Sequence, residues 1–169
     1  MTPDRGRETV SADPLTQQSV SQVDLVVYVP GDPAPQGSKR YLGKGVSIEQ
    51  SKKLHPWRAD VRGVVMNAWK GHPIQWAVSV RLHFVMPRPL STPKKGPTPP
   101  AVKKADIDKL SRAVLDALTS AGVWYDDKQV CELLATKRLA ERGEVPGCQI
   151  YVRPVMHDWT PEGGPPWAP

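Results

Sequence analysis

The chain has 169 residues and carries 23 Lys and Arg against 17 Asp and Glu, a formal net charge of +6. That length suits one domain with loose ends, and the positive balance favours a polyanionic partner through counterion release. Two cysteines outside any Cys-x-x-Cys pair and four scattered histidines argue against a disulfide framework or a zinc finger. Residues 1–22 hold no apolar run fit for a signal peptide, and no segment approaches the roughly 20 apolar residues of a membrane span, so a reduced, cytoplasmic protein is expected.

In chain order, residues 1–22 read as a tail, and "DLVVYVP" (Asp24 to Pro30) as a short strand stopped by proline and glycine. "GDPAPQGSKRYLGKG" (Gly31 to Gly45) reads as a loop carrying Lys39, Arg40 and Lys44. Next, Leu54, Trp57, Val61, Val64, Val65, Ala68 and Trp69 recur at spacings of three and four, the stripe of a helix whose regular part is expected to begin at Pro56. "WAVSVRLHFVMP" (Trp76 to Pro87) alternates as a half-buried strand. The stretch 88–105, with five basic residues, five prolines and no acid, is expected to be a mobile basic arm.

A second helix is expected from about Asp108 to Ser120, with Ile107, Leu110, Val114, Ala117, Leu118 and Ala121 inside and Gly122 as its stop. "QVCELLATKRLA" and "GCQIYVRPV" read as two final strands joined as a hairpin through "ERGEVPG", and 156–169 as a Pro/Gly-rich tail. The expected fold is α/β (α+β): one domain over 23–155, a small mixed sheet backed by helices, in the order β-α-β-α-β-β.

Two acidic pairs frame the second helix. Asp106 and Asp108 sit at its start, directly after the basic stretch, and Asp126 and Asp127 follow its end. Clustered carboxylates repel unless compensated, and hard oxygen donors suit Mg²⁺ (or Mn²⁺), which also accepts phosphate oxygens. Such an ion would neutralise the acids and join them to the anion that the lysines attract. The structural reading stays open beside this one: Asp108 as a helix cap, and Asp126–Asp127 as a solvated turn.

The joint pattern "ADIDKLSRAVLDALTSAGVWYDDKQV" (Ala105 to Val130) closely resembles the metal-site segment of the RusA family of Holliday junction resolvases. The likeness extends more loosely to "VPGDPAPQGSKR" and to most of Asp24 to Pro154. It implies that Asp106, Asp108 and Asp127 ligate the metal, with Asp126 as their neighbour, and that Arg112 stands where the family has its catalytic lysine. Lys109 replaces the family's usual Asn and is a candidate for part of that lysine's role. An Arg keeps phosphate contact but is a poor proton donor to a leaving oxygen.

The function expected on these grounds is Mg-dependent, paired nicking of four-way junction DNA by a homodimer, leaving 5′-phosphate ends. Lys39, Arg40, Lys94, Lys95, Lys103 and Lys104 would track backbone phosphates, Tyr41 or a tryptophan would stack on an unpaired base, and Leu115 is a partner-contact candidate. Two alternatives stand beside it: a broader fork or flap endonuclease, and a junction-binding protein whose catalysis is impaired at Lys109 and Arg112.

Overall fold

A computed structural model describes residues 25–37, 39–43, 46–49, 52–93, 95–102 and 105–155, with the backbone alone for 39–43 and 46–49. The expected tails at 1–22 and 156–169 lie outside the described residues. Among the described residues no helix is long and apolar enough to cross a membrane.

A four-stranded mixed sheet organises the chain: β1 (Leu25–Pro30), β4 (Val78–Met86), β5 (Val130–Leu139) and β6 (Gly147–Pro154), in the spatial order β1-β6-β4-β5. β6 lies antiparallel to both β1 and β4, whereas β4 and β5 are parallel. A parallel pair needs a long crossover, and the helix α2 (Ile107–Ser120) lies within it. The other helix, α1 (Leu54–Ala68), packs on α2 and β1. Alternate strand residues enter one core: Leu25, Val27 and Val29 from β1, Val80, Leu82 and Phe84 from β4, and Cys148, Ile150 and Val152 from β6. Trp57 and Val61 of α1, with Leu110, Val114 and Leu118 of α2, close it from the helical side.

Four expectations change. The stretch read as one loop contains a strand: β2 (Lys39–Gly43) pairs antiparallel with β3 (Val46–Glu49) in a separate two-stranded ribbon, so two elements precede α1 that the expected order lacked. α1 starts at Leu54, one turn's edge before Pro56. The first-turn N–H groups of a helix have no partner within it, so a proline there loses nothing.

The expected β5–β6 hairpin does not exist, because β6 passes β4 and inserts between it and β1. Composition explains the choice. β6 alternates cleanly, with Cys148, Ile150 and Val152 fully buried, as a central strand requires. β5 carries Glu132, Lys137 and Arg138 and is exposed over most of its length, which suits an edge.

The stretch expected as a free arm is tied back over its described part. Arg88 donates to Thr98 Oγ1 (2.6 Å) and to the Pro93 carbonyl (3.0 Å), Thr98 reaches Glu141, and Ala101 is buried in the core.

The insertion of β6 leaves no space at its first residue. A Cβ on Gly147 would overlap the Val29 carbonyl oxygen and lie 2.8 Å from Tyr28 Oη. The carbonyl is backbone and cannot rotate away. Gly147→Ala should therefore cost about 1–3 kcal/mol or more through overpacking, read as a lower urea midpoint at unchanged slope. A midpoint equal to that of the wild type would show that β1 and β6 separate without penalty.

Candidate metal and nucleic-acid site

The acidic helix is built from its own sequence. Asp106 occupies the position before the first turn of α2, in extended conformation, and Asp108 lies within that turn. Both are exposed. Asp106, rather than Asp108, is thus the residue at the cap. Its carboxylate makes no capping bond to the backbone and instead meets Lys109 Nζ at 2.9 Å. That hydrogen bond, with the lysine's charge, holds the Asp106 carboxyl below its usual range. Lys109 is thereby placed against one of the two carboxylates.

Arg112 is exposed on the same side of α2, one turn beyond Asp108. It flanks the loop that follows β1, where a Cβ on Gly37 would lie 3.7 Å from its Nη1. Leu115, the partner-contact candidate next along this stripe, is half-buried and packs against the core cluster.

The second acidic pair divides its labour. Asp126 accepts from Lys128 N at 3.0 Å and closes a reciprocal capping box with Gln129 around the short 3₁₀ turn Asp127–Gln129. The backbone N–H of Lys128 is the main reason its carboxyl is held low. Gln129 Nε2 also donates to the carbonyls of Ile74 (2.8 Å) and Trp76 (3.1 Å), pinning the turn to the chain before β4. Asp127, exposed, takes no part in this capping. The structural work falls on Asp126.

The two pairs do not meet within one chain. Asp127 borders a shallow depression shared with Arg58, Asp116, Thr119 and Ser120. Asp108 and Ser120 are twelve residues apart on α2, about 18 Å along its axis at 1.5 Å per residue. Among the described residues no group of three His, Cys, Asp or Glu side chains could hold a metal ion. One protomer holds Asp106 and Asp108 at one end of α2, and Asp127 lies with Asp116 and Asp126 at the other.

A polar network joins the two ends; Gln36 and Asp116 lie in the family-like stretches of the sequence, but their pairing with each other and with Arg58 was not legible there. The loop after β1 runs along α2: Gln36 N donates to Lys109 O (3.0 Å) and Gln36 Nε2 donates to Asp116. Arg58 of α1 reaches both Gln36 Oε1 (3.5 Å) and Asp116 (3.6 Å). This ties the base of the β2–β3 ribbon, with Lys39 and Arg40 on β2, to the helix bearing Asp108 and Arg112. Lys95 is exposed in the 88–102 stretch, and Lys94, Lys103 and Lys104 lie outside the described residues.

The mixed sheet thus carries a crossover helix with Asp106 and Asp108 at its exposed start, Lys109 and Arg112 beside them, and Asp127 in the turn beyond its end. Residues 30–153 match the family model described as endodeoxyribonuclease RusA, and the chain belongs to that family. Relatives include proteins named crossover junction endodeoxyribonuclease RusA. One, from Aquifex aeolicus strain VF5, is 23% identical over 133 residues, covering 79% of this chain and 94% of the relative. Those of Escherichia coli strain K12 and Shigella sonnei strain Ss046 are 26% and 29% identical over 109 residues, 64% of this chain and 80% of theirs.

Proposed function

We propose that the protein is a structure-specific endodeoxyribonuclease acting on four-way junction DNA, as the names of its relatives describe for them. The observation that carries this is the family match over 30–153 together with an exposed acid pair at the start of α2, set among Lys109 and Arg112.

Mg²⁺, with Mn²⁺ as a substitute, is the ion this donor set fits. Asp106 and Asp108 are hard, exposed oxygen donors at one helix end, and such ions take one or two carboxylates with the remaining places left to water and phosphate. When bound, the ion supplies Lewis-acid polarisation of a phosphate oxygen. The third expected ligand, Asp127, does not reach that end of its own α2. A second copy supplies it if the two α2 helices lie antiparallel across a twofold axis, since each Asp127 then falls beside the partner's acid pair. The uncovered edge at β5, where Cys131 and Leu133 remain exposed, supports such a neighbour. Two sites related by symmetry also suit two nicks in strands of like polarity.

The chain's own groups have separable tasks. Arg112, a permanently charged fork, holds the scissile phosphate and offsets charge that grows on it. Lys109, paired with Asp106, adds a second positive charge at the same end of α2. Lys39, Arg40, Lys94, Lys95, Lys103 and Lys104 contact the DNA backbone without reading sequence. Water attacks phosphorus, the P–O3′ bond breaks, and the products are a 5′-phosphate and a 3′-hydroxyl.

An end-labelled junction with a movable core, incubated with Mg²⁺ or with EDTA, tests this reading. Paired, symmetric nicks that ligase can reseal are expected only with the metal. Tight junction binding without cleavage in Mg²⁺ and in Mn²⁺ would instead assign the chain to junction binding alone.

A further inference from the structure

Both helices pack on the core side of the sheet, and the segment 140–146 borders the other side. That side is a defined array. One row across the strands is Val26, Tyr151, Arg81 and Leu134; the next is Tyr28, Gln149, His83 and Thr136. Val26 and Leu134 are more than half exposed, at 56% and 51%, and Tyr28 and Tyr151 each retain 38%. An apolar surface of this extent on a basic protein signals a partner.

The side chains are held in place. His83 Nδ1 lies 2.7 Å from Thr136 Oγ1, and its ring meets Tyr151 edge-on with centroids 5.8 Å apart. Tyr28 donates to the Val145 carbonyl at 2.5 Å, so the 140–146 segment walls one side of a depression of about 670 Å³ above His83 and Tyr151. Beyond Tyr151, Arg81 and Arg153 border a second hollow with Val26. Neither arginine takes part in an ion pair among the described residues. Glu144, the acid that lines the larger depression, is engaged bidentately by Arg138 (2.5 and 2.6 Å), which holds its carboxyl down to about 2.

We infer that this open sheet face is a platform for single-stranded DNA, with bases stacking on Tyr151 and Tyr28 and the backbone following Arg81 and Arg153. Charge chooses among occupants. A second copy would bring like-charged arginines face to face, and an apolar peptide would leave them unpaired. Only an anion with flat apolar faces satisfies rings and guanidinia together. Duplex DNA keeps its bases stacked inward and cannot offer them to the rings. The choice of DNA over RNA rests on the family assignment. The face lies on the sheet side opposite α2, so the inference is separate from the acid site.

The test is fluorescence anisotropy of labelled dT20 with the full-length protein in EDTA, where cleavage cannot intervene. Tyr151→Ala should weaken dT20 binding about tenfold, as loss of one stacked base implies. Tyr151→Phe should retain the wild-type affinity. Arg81→Gln with Arg153→Gln should weaken binding and flatten its salt dependence. Blunt duplex binding, and nicking of junctions by Tyr151→Ala with Mg²⁺ at saturating protein, should stay unchanged, which separates this face from the acid site. Equal dT20 affinity in wild type and Tyr151→Ala overturns the inference. If that variant also sediments as a smaller species, the face packs on a second copy; if it exposes new protease sites in 156–169, the chain's own end covers it.

Discussion

Mixing two inactive variants should restore nicking. Asp108→Asn and Asp127→Asn each leave the fold intact, because both side chains are exposed and neither caps a helix. Each should lower junction cleavage at least about a hundredfold, the scale on which loss of one group stabilising transition-state charge is felt. The informative sample is the two co-expressed. If each site combines the Asp106–Asp108 end of one α2 with Asp127 of the partner, a mixed dimer has one site bearing both substitutions and one bearing neither. It should nick one strand of the junction and fail to make the paired second cut. If Asp127 instead acts beside its own α2, every site in the mixture is damaged once and the mixture stays inactive. Mn²⁺ binding gives an independent reading: each pure variant should lose affinity at both sites, and the mixed dimer should regain one.

This experiment matters because the distance it addresses was not visible in sequence. The helix was: apolar residues at spacings of three and four predicted α2 closely, and Leu110, Val114, Ala117 and Leu118 are all buried. The acids at its ends were equally plain as residue types. What periodicity cannot convey is whether the chain after this 14-residue helix folds Asp127 back toward Asp108, and the depression that Asp127 shares with Ser120 places it at the far end instead. The resemblance already gave Asp126 and Asp127 different roles, and what the 3₁₀ turn adds is the capping of Asp126, which leaves Asp127 exposed.

The same limit governs the fold. Two alternating segments joined by "ERGEVPG" satisfy every local rule of a hairpin, and only competition for the slot beside β1 sends β6 to the centre. The link Gln36–Asp116–Arg58 unites three elements distant in the chain, and their pairing was not legible locally. Arg88 likewise looked like one more cation of a basic stretch, whereas its bonds to Thr98, Pro93 O and Ala140 O fold that stretch back.

Trp57→Ala should bring the largest loss of stability, about 3–5 kcal/mol by the usual cost of removing a large aromatic from a core. The indole is only 1% exposed and lies at the junction of α1 with the chain leaving β1. Gly31 makes that approach possible: a Cβ there would stand 3.2 Å from the ring, and its φ of +146° is one that other residues rarely adopt. Trp57→Phe isolates packing from hydrogen bonding. Trp57 Nε1 has no partner among the described residues, so the smaller ring loses volume but no bond and should cost well under the alanine variant. Urea unfolding measures both, and a loss below about 1 kcal/mol for Trp57→Ala would remove Trp57 from the core argument. The consequence extends to the site, because the chain that Trp57 supports at Gly31 continues to Gln36, whose bonds hold the chain entering β2 on α2. Trp57→Ala should therefore weaken junction binding at temperatures where the protein is still folded, and Trp57→Phe should not.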